Sequence, residues 1–229
     1  MSLDSNSPEK KLRNFLKLLI NSPHNLTSIK EIETAYVKHL EDIIKPFKDK
    51  KLKGAFIDVG TGGGLPGLVL AIMFPDSKWV LIDSVKKKIN EVKRFAHELK
   101  LINVSTIRTR AEELSDEYRE HFEGAFSRAL SRTDITLELC SPFIKKGGNC
   151  YIYKGPSWEK ENVRIKNACS ILGFSDPDIV NYKLTDKSLR SLLIFTKLRR
   201  TTKIFPRRVG KAFKEPIGIY SKKLQGDLL

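Results

Sequence analysis

Cysteine is scarce in this chain. The three present, Cys140, Cys150 and Cys169, are odd in number and include no CxxC pair, which argues against both a disulfide framework and a structural zinc. The four histidines, His24, His39, His97 and His121, lie too far apart for a HExxH-type site, so metal catalysis has no local support. Long apolar runs are missing as well: no window approaches the roughly 18 to 20 apolar residues that a membrane helix requires. Residues Met1 to Lys11 are polar, with no apolar run before a small-residue cleavage site. No secretory signal is visible, and a cytoplasmic location is expected. Internal repeats and low-complexity segments are also absent, so the architecture must be read from periodicity.

Acidic charge is in short supply. Against 42 Lys and Arg the chain sets 27 Asp and Glu, leaving +15 over 229 residues. That balance favours a polyanionic partner, nucleic acid first and an anionic membrane surface second. Nearly half of the excess lies between Arg199 and Leu229, a 31-residue stretch with a net charge of +7. Phe205, Phe213 and Tyr220, interleaved with Pro206, Gly210 and Pro216, predict a semi-extended arm offering cations to phosphates and rings for stacking. The competing reading packs the same rings on the domain.

Leu12, Phe15, Leu16 and Leu19 follow helical spacing after Pro8, predicting an amphipathic helix over roughly 8 to 21. Ile32, Tyr36, Leu40, Ile43, Ile44 and Phe47 predict a second from about Glu31 to Ile44, closed by Pro46. Beyond the charged linker Lys48 to Lys53 the pattern changes. Short apolar runs at 55–59, 79–82, 104–107, 125–126 and 150–153 alternate with helical stretches, as in a parallel α/β sheet. The helix after the second run is the clearest, with Ser84 the expected N-cap. Ile179 to Leu184 and Ser191 to Thr196 are too close for a crossover helix and predict an antiparallel hairpin. The chain therefore divides into an N-terminal helical extension packed on the domain (1–53), an α/β domain (54–198) and a basic C-terminal tail (199–229).

Between the first strand and a helix beginning near Pro66 stands Asp58 to Gly67, DVGTGGGLPG. Its glycines allow a sharp turn and close approach of a ligand, and amides freed at the helix start favour polar or anionic groups. Gly62, Gly64 and Gly67 formally satisfy GxGxxG, so a dinucleotide oxidoreductase must be considered. Asp83, ending the next strand, can accept hydrogen bonds from both ribose hydroxyls, which also suits NAD. The D-x-G-x-G-x-G spacing from Asp58, however, resembles motif I of the class I S-adenosylmethionine methyltransferases, and the terminal hairpin matches their seven-stranded, mostly parallel sheet.

The resemblance narrows further. NLT at Asn25 to Thr27, His39, DVGTGGGLPG, LIDS at Leu81 to Ser84, RAEEL at Arg110 to Leu114, SRA at Ser127 to Ala129, and Lys154-Gly155 are similar in order and spacing to the RsmG (GidB) family. The similarity covers about Leu12 to Leu198, and the tail's FPRRVGKAFKEPI, with Arg207 and Arg208, resembles the ending of many members. It departs at Ser22-Pro23-His24, Lys38 and Asp42-Ile43, where members often have Trp-Asn, Arg and Asp-Ser, and at Leu130, where many have an aromatic.

This family methylates N7 of a guanine in 16S ribosomal RNA with S-adenosylmethionine. The resemblance implies that Gly60 and Leu65 line the methionine-bearing part of the cofactor, with Gly62 and Gly64 forming the turn. It implies further that Asp83 holds the ribose, that Ala111 and Glu112 flank the adenine, and that Arg128 sits beside the methyl group. Asn25, His39, Arg110, Lys154, Arg207 and Arg208 are implied on the RNA side, with 16S rRNA or the small ribosomal subunit as partner. No membrane association and a monomer are expected. Guanine N7 presents a lone pair, so neither a base nor a covalent nucleophile is needed and positioning supplies the rate. A dinucleotide oxidoreductase is disfavoured because no Tyr-x-x-x-Lys or His-Asp pairing is evident. A non-enzymatic RNA-binding protein retaining the fold would not require an intact glycine loop with Asp83.

Overall fold

The computed structural model describes residues 7–219; Tyr220, Lys222 and Lys223 of the expected arm lie outside the described residues. Ser7 caps α1 (Pro8–Ile20) by accepting from the Lys10 N–H, and Pro8 opens the first turn. The second helical run is not one regular helix. It comprises α2 (Ile32–Ala35), a π-helical segment Tyr36–Glu41, α3 (Asp42–Ile44) and a 3-10 turn Lys45–Phe47. The wider π turn inserts an extra residue into the helical repeat, and both His39 and Asp42 end up buried.

Seven strands follow, β1 (Gly54–Val59), β2 (Ser77–Asp83), β3 (Val104–Arg108), β4 (Phe122–Arg128), β5 (Ile144–Lys154), β6 (Asp178–Lys183) and β7 (Leu189–Thr196), in the order 3-2-1-4-5-7-6. The first five are parallel; β7 runs antiparallel to both β5 and β6, as the short connection requires. Helices α4 (Gly67–Met73) and α5 (Lys86–Glu98) cover one face with α1, while α6 (Thr133–Cys140) and α7 (Asn162–Leu172) cover the other. Burial on both faces explains the continuous apolar runs. On the first face Phe56, Trp79, Phe126 and Tyr151 pack across four strands, with ring centroids 4.4–5.8 Å apart. On the second, Ile57, Val59, Ile82 and Ala125 meet Leu137, Ile165 and Leu172.

Two expectations are corrected. Ser84 is not the N-cap of α5. Val85 holds that position, and Asp83 Oδ1 accepts its N–H at 2.8 Å, so the carboxylate ending β2 also organises the entry to the helix. Nor is the basic stretch a free arm over its described residues, 199–219. Phe205 and Ile217 are fully buried, and Asn167 donates to the Gly218 carbonyl. Arg207 places Nε and Nη2 2.7 and 2.6 Å from the two carboxylate oxygens of the buried Glu138. The segment is a strap over the α6 and α7 face and includes the short α8 (Lys211–Lys214).

Candidate active site

Asp58 fixes the turn after β1. Its Oδ2 accepts from Thr61 Oγ1 at 2.6 Å and from the Gly67 N–H at 2.9 Å, while Oδ1 finds no hydrogen-bond partner among the described residues. Burial, first of all, pushes this carboxyl up to about 7. Gly60, Gly62 and Gly64 all have positive φ, and a Cβ at Gly60 would lie 2.6 Å from Leu130 Cδ1. At Gly62 a Cβ would meet nothing closer than the Gly60 carbonyl oxygen at 4.0 Å, so the loop stands open on that side. Asp83 Oδ2 accepts the Gly62 N–H at 3.0 Å, tying the loop to the end of β2.

Above this loop, at the carboxyl ends of the strands, is a cavity of about 960 Å³. Its size lies within the roughly 300–1,000 Å³ typical of cofactor sites, and its position is where open α/β sheets bind ligands. The open face of Gly62 and the Asp83 carboxylate beside it are what a ribose-bearing cofactor requires. Of the residues expected in the cofactor site, Gly60, Gly62, Leu65, Asp83, Ala111, Glu112 and Arg128 line the cavity. Gly64 does not: it turns toward α4, where a Cβ would lie 2.5 Å from Leu68 Cδ1, so its place is in the turn.

Of the expected RNA-side residues, His39, Arg110 and Lys154 reach the wall; Asn25, Arg207 and Arg208 do not. Asn25 is exposed with φ of 46°, just ahead of the lining residues Leu26 to Ser28. Arg207 is withdrawn from RNA by its pairing with Glu138, whereas Arg208 is exposed.

Arg128, at the end of β4, is held on three sides. Its Nε donates to Asp42 Oδ2 at 3.0 Å, Nη2 to the Lys38 carbonyl at 2.7 Å, and Nη1 to His39 Nδ1 at 3.4 Å. Burial, and then the neighbouring Arg128 charge, push the His39 imidazolium down to about 4, so the ring is neutral near pH 7. Accepting at Nδ1 leaves the proton on Nε2, which faces Thr27 Oγ1 at 2.9 Å. Asp42 also accepts from Tyr182 Oη at 2.9 Å, with Arg190 Nε 3.7 Å away. Lys154 is similarly engaged, donating to Glu161 and to the Ser131 carbonyl.

Tyr182 and Arg190 belong to none of the motifs, Asp42 stands in the sequence only as a departure from the family pattern, and Phe213 only as a ring of the basic tail. Asp42 stands three residues after His39 on a helical run, a spacing that could have paired them. Tyr182 and Arg190 are cross-strand partners in the β6–β7 hairpin, a register that the sequence alone does not fix.

A sheet of order 3-2-1-4-5-7-6 with an antiparallel β7, carrying a glycine turn after β1 and a carboxylate at the end of β2, defines the class I S-adenosylmethionine methyltransferases. Two solved structures share that fold. They are a variant of the 16S rRNA (adenine(1408)-N(1))-methyltransferase from Catenulisporales acidiphilia with SAM (TM-score 0.55, 14% identity, 71% of this chain and 92% of that one) and M. jannaschii TYW2 in complex with AdoMet (0.54, 15%, 72% and 80%). The chain belongs to the rRNA small subunit methyltransferase G family, whose model matches residues 8–190. It is 42% identical over 211 residues to the ribosomal RNA small subunit methyltransferase G of Pseudothermotoga lettingae, covering 92% of each. To that of Thermotoga neapolitana it is 38% identical over 209 residues, covering 91% of each.

Proposed function

We propose that this chain transfers the methyl group of S-adenosylmethionine to N7 of a guanine in 16S ribosomal RNA, acting as a monomer in the cytoplasm. The observation that carries the reading is the commitment of every carboxylate and imidazole on the described cavity wall to a protein partner. Asp42 is bound by Arg128 and Tyr182, Asp83 by the Gly62 and Val85 N–H groups, Glu112 by the Gly210 N–H, and His39 by Arg128 and Thr27. Each is anchored by the protein and none is presented as a lone base aimed at the cavity. A lone pair with no proton to remove, as at guanine N7, is the nucleophile that such a wall suits.

S-adenosylmethionine, when bound, supplies an electrophilic methyl on a sulfonium. Gly60 and Leu65 line its methionine end, Gly62 and Gly64 form the turn beneath it, Asp83 accepts from the ribose, and Ala111 and Glu112 flank the adenine. Arg128 positions the base: with three N–H groups engaged, one on each terminal nitrogen is left for an acceptor such as guanine O6. Arg110 and Lys154 meet the RNA at the wall, Asn25 and Arg208 beyond it. Calorimetry should show binding of S-adenosylhomocysteine and none of NAD, and rRNA from cells lacking the gene should lose one 7-methylguanosine. Binding of NAD alone, or an unchanged 7-methylguanosine map, would refute the reading.

A further inference from the structure

The strap between Phe205 and Gly218 is anchored along its length by the buried Phe205, the Arg207–Glu138 pair, the Gly210 N–H on Glu112 at 3.0 Å, and the buried Ala212 and Ile217. Within this fixed segment Phe213 turns outward, 46% exposed beside a fully buried Ala212, and lines the cavity. One exposed phenylalanine is ordinary on any surface. A ring held on a cavity wall by buried anchors on both sides is not a loose surface residue.

The strand order says which end of the cavity it serves. A ribose held by Asp83 at the end of β2 directs its base away from β1 and the glycine loop, toward the neighbouring β3. The chain leaving β3 is Thr109 to Glu112, in which Ala111 is buried and Glu112 is the residue bonded to the strap. Arg128 and Lys154 mark the other end, at β4 and β5. We propose that Phe213 offers its face to the adenine of S-adenosylmethionine, so that the C-terminal strap completes the cofactor site. The proposal rests on the cofactor assignment above and extends it to a segment outside the α/β domain.

The test uses the full chain and S-adenosylhomocysteine as probe. Phe213→Ala should raise its calorimetric Kd roughly 5- to 150-fold, the range expected for losing one base-stacking ring, with the melting temperature unchanged because the side chain is outside the core. Phe213→Trp should bind within twofold of wild type, and its new indole should be quenched on binding, against a background of two buried tryptophans, Trp79 and Trp158. A Phe213→Ala Kd within twofold of wild type would overturn the proposal. So would a loss confined to RNA affinity, which would give the ring to an RNA base instead. If wild type itself fails to bind the probe, the cofactor assignment falls, an outcome distinct from equal binding by wild type and variant.

Discussion

Arg128 is a cation at the end of a buried strand, and such a group needs partners before it can serve as a tool. The chain supplies them from the second helical run: Asp42, the Lys38 carbonyl and a neutral His39. Arg128→Lys keeps a charge beside Asp42 but loses the planar fork. It should lower kcat about 100- to 1,000-fold, as loss of a preorganised donor does, while S-adenosylhomocysteine affinity changes less than threefold; single-turnover rates with calorimetry decide. His39 titrates in the folded protein at about 4, below its ordinary 6.5. Its contribution to stability is therefore complete above about 6.5 and lost as pH falls through about 4. Asp58, raised to about 7, has the opposite sign: its contribution is complete below about 4 and lost as pH rises through 7. Between about pH 4 and 7 the two slopes oppose each other, so relative to wild type the melting temperature should fall more steeply with rising pH in His39→Gln and rise more steeply in Asp58→Asn. Arg128 and His39 were legible in the sequence because each belongs to the motif series; Asp42 was not, since its pairing depends on how a helix 86 residues upstream of Arg128 docks onto β4.

At the level of elements, the sheet was readable because apolar runs, glycine turns and the short hairpin connection each have a local cause. The π turn was not, because it answers to packing around Tyr36 to Glu41 and leaves the apolar spacing nearly unchanged. The strap was hidden for a different reason: charge in sequence says nothing about pairing, and Glu138 sits 69 residues from Arg207 in a helix whose residues are all buried. A second buried cation reinforces that anchorage. Lys197 donates to the Ser141 and Leu172 carbonyls and to Thr201 Oγ1, lies 4.5 Å from the Phe174 ring centroid, and is pushed by burial down to about 7. Adjacent arginines make the comparison direct. Arg207→Ala strands the Glu138 carboxylate in the core and should cost about 3 to 5 kcal/mol in chemical denaturation. Arg208→Ala, on the exposed side, should change stability by less than about 0.5 kcal/mol. Equal effects would mean that the strap is not anchored through Glu138.

Over the whole molecule, the excess of +15 matters where it can meet RNA phosphates, and the strap alters which cations those are. Removing everything from Arg199 onward would strip buried core groups along with charge, so truncation cannot isolate the electrostatic part. Point substitutions can. Arg110 lines the cavity, while Arg208 and Lys214 are exposed on the strap either side of Gly210 and Phe213, with no carboxylate partner within salt-bridge distance among the described residues. Removing a cation that neutralises one phosphate should flatten the dependence of log affinity on log salt by roughly 0.7 to 1 unit. Alanine at all three positions should therefore reduce the slope for an rRNA fragment by about 2 to 3 units, with the melting temperature retained. Lys78, exposed near the start of β2 at the opposite end of the sheet, is the control: Lys78→Ala should leave the slope where it was. If the triple variant keeps the wild-type slope, RNA does not approach over the strap side of the cavity, and the cations that meet its phosphates must be sought among the lysines of α5.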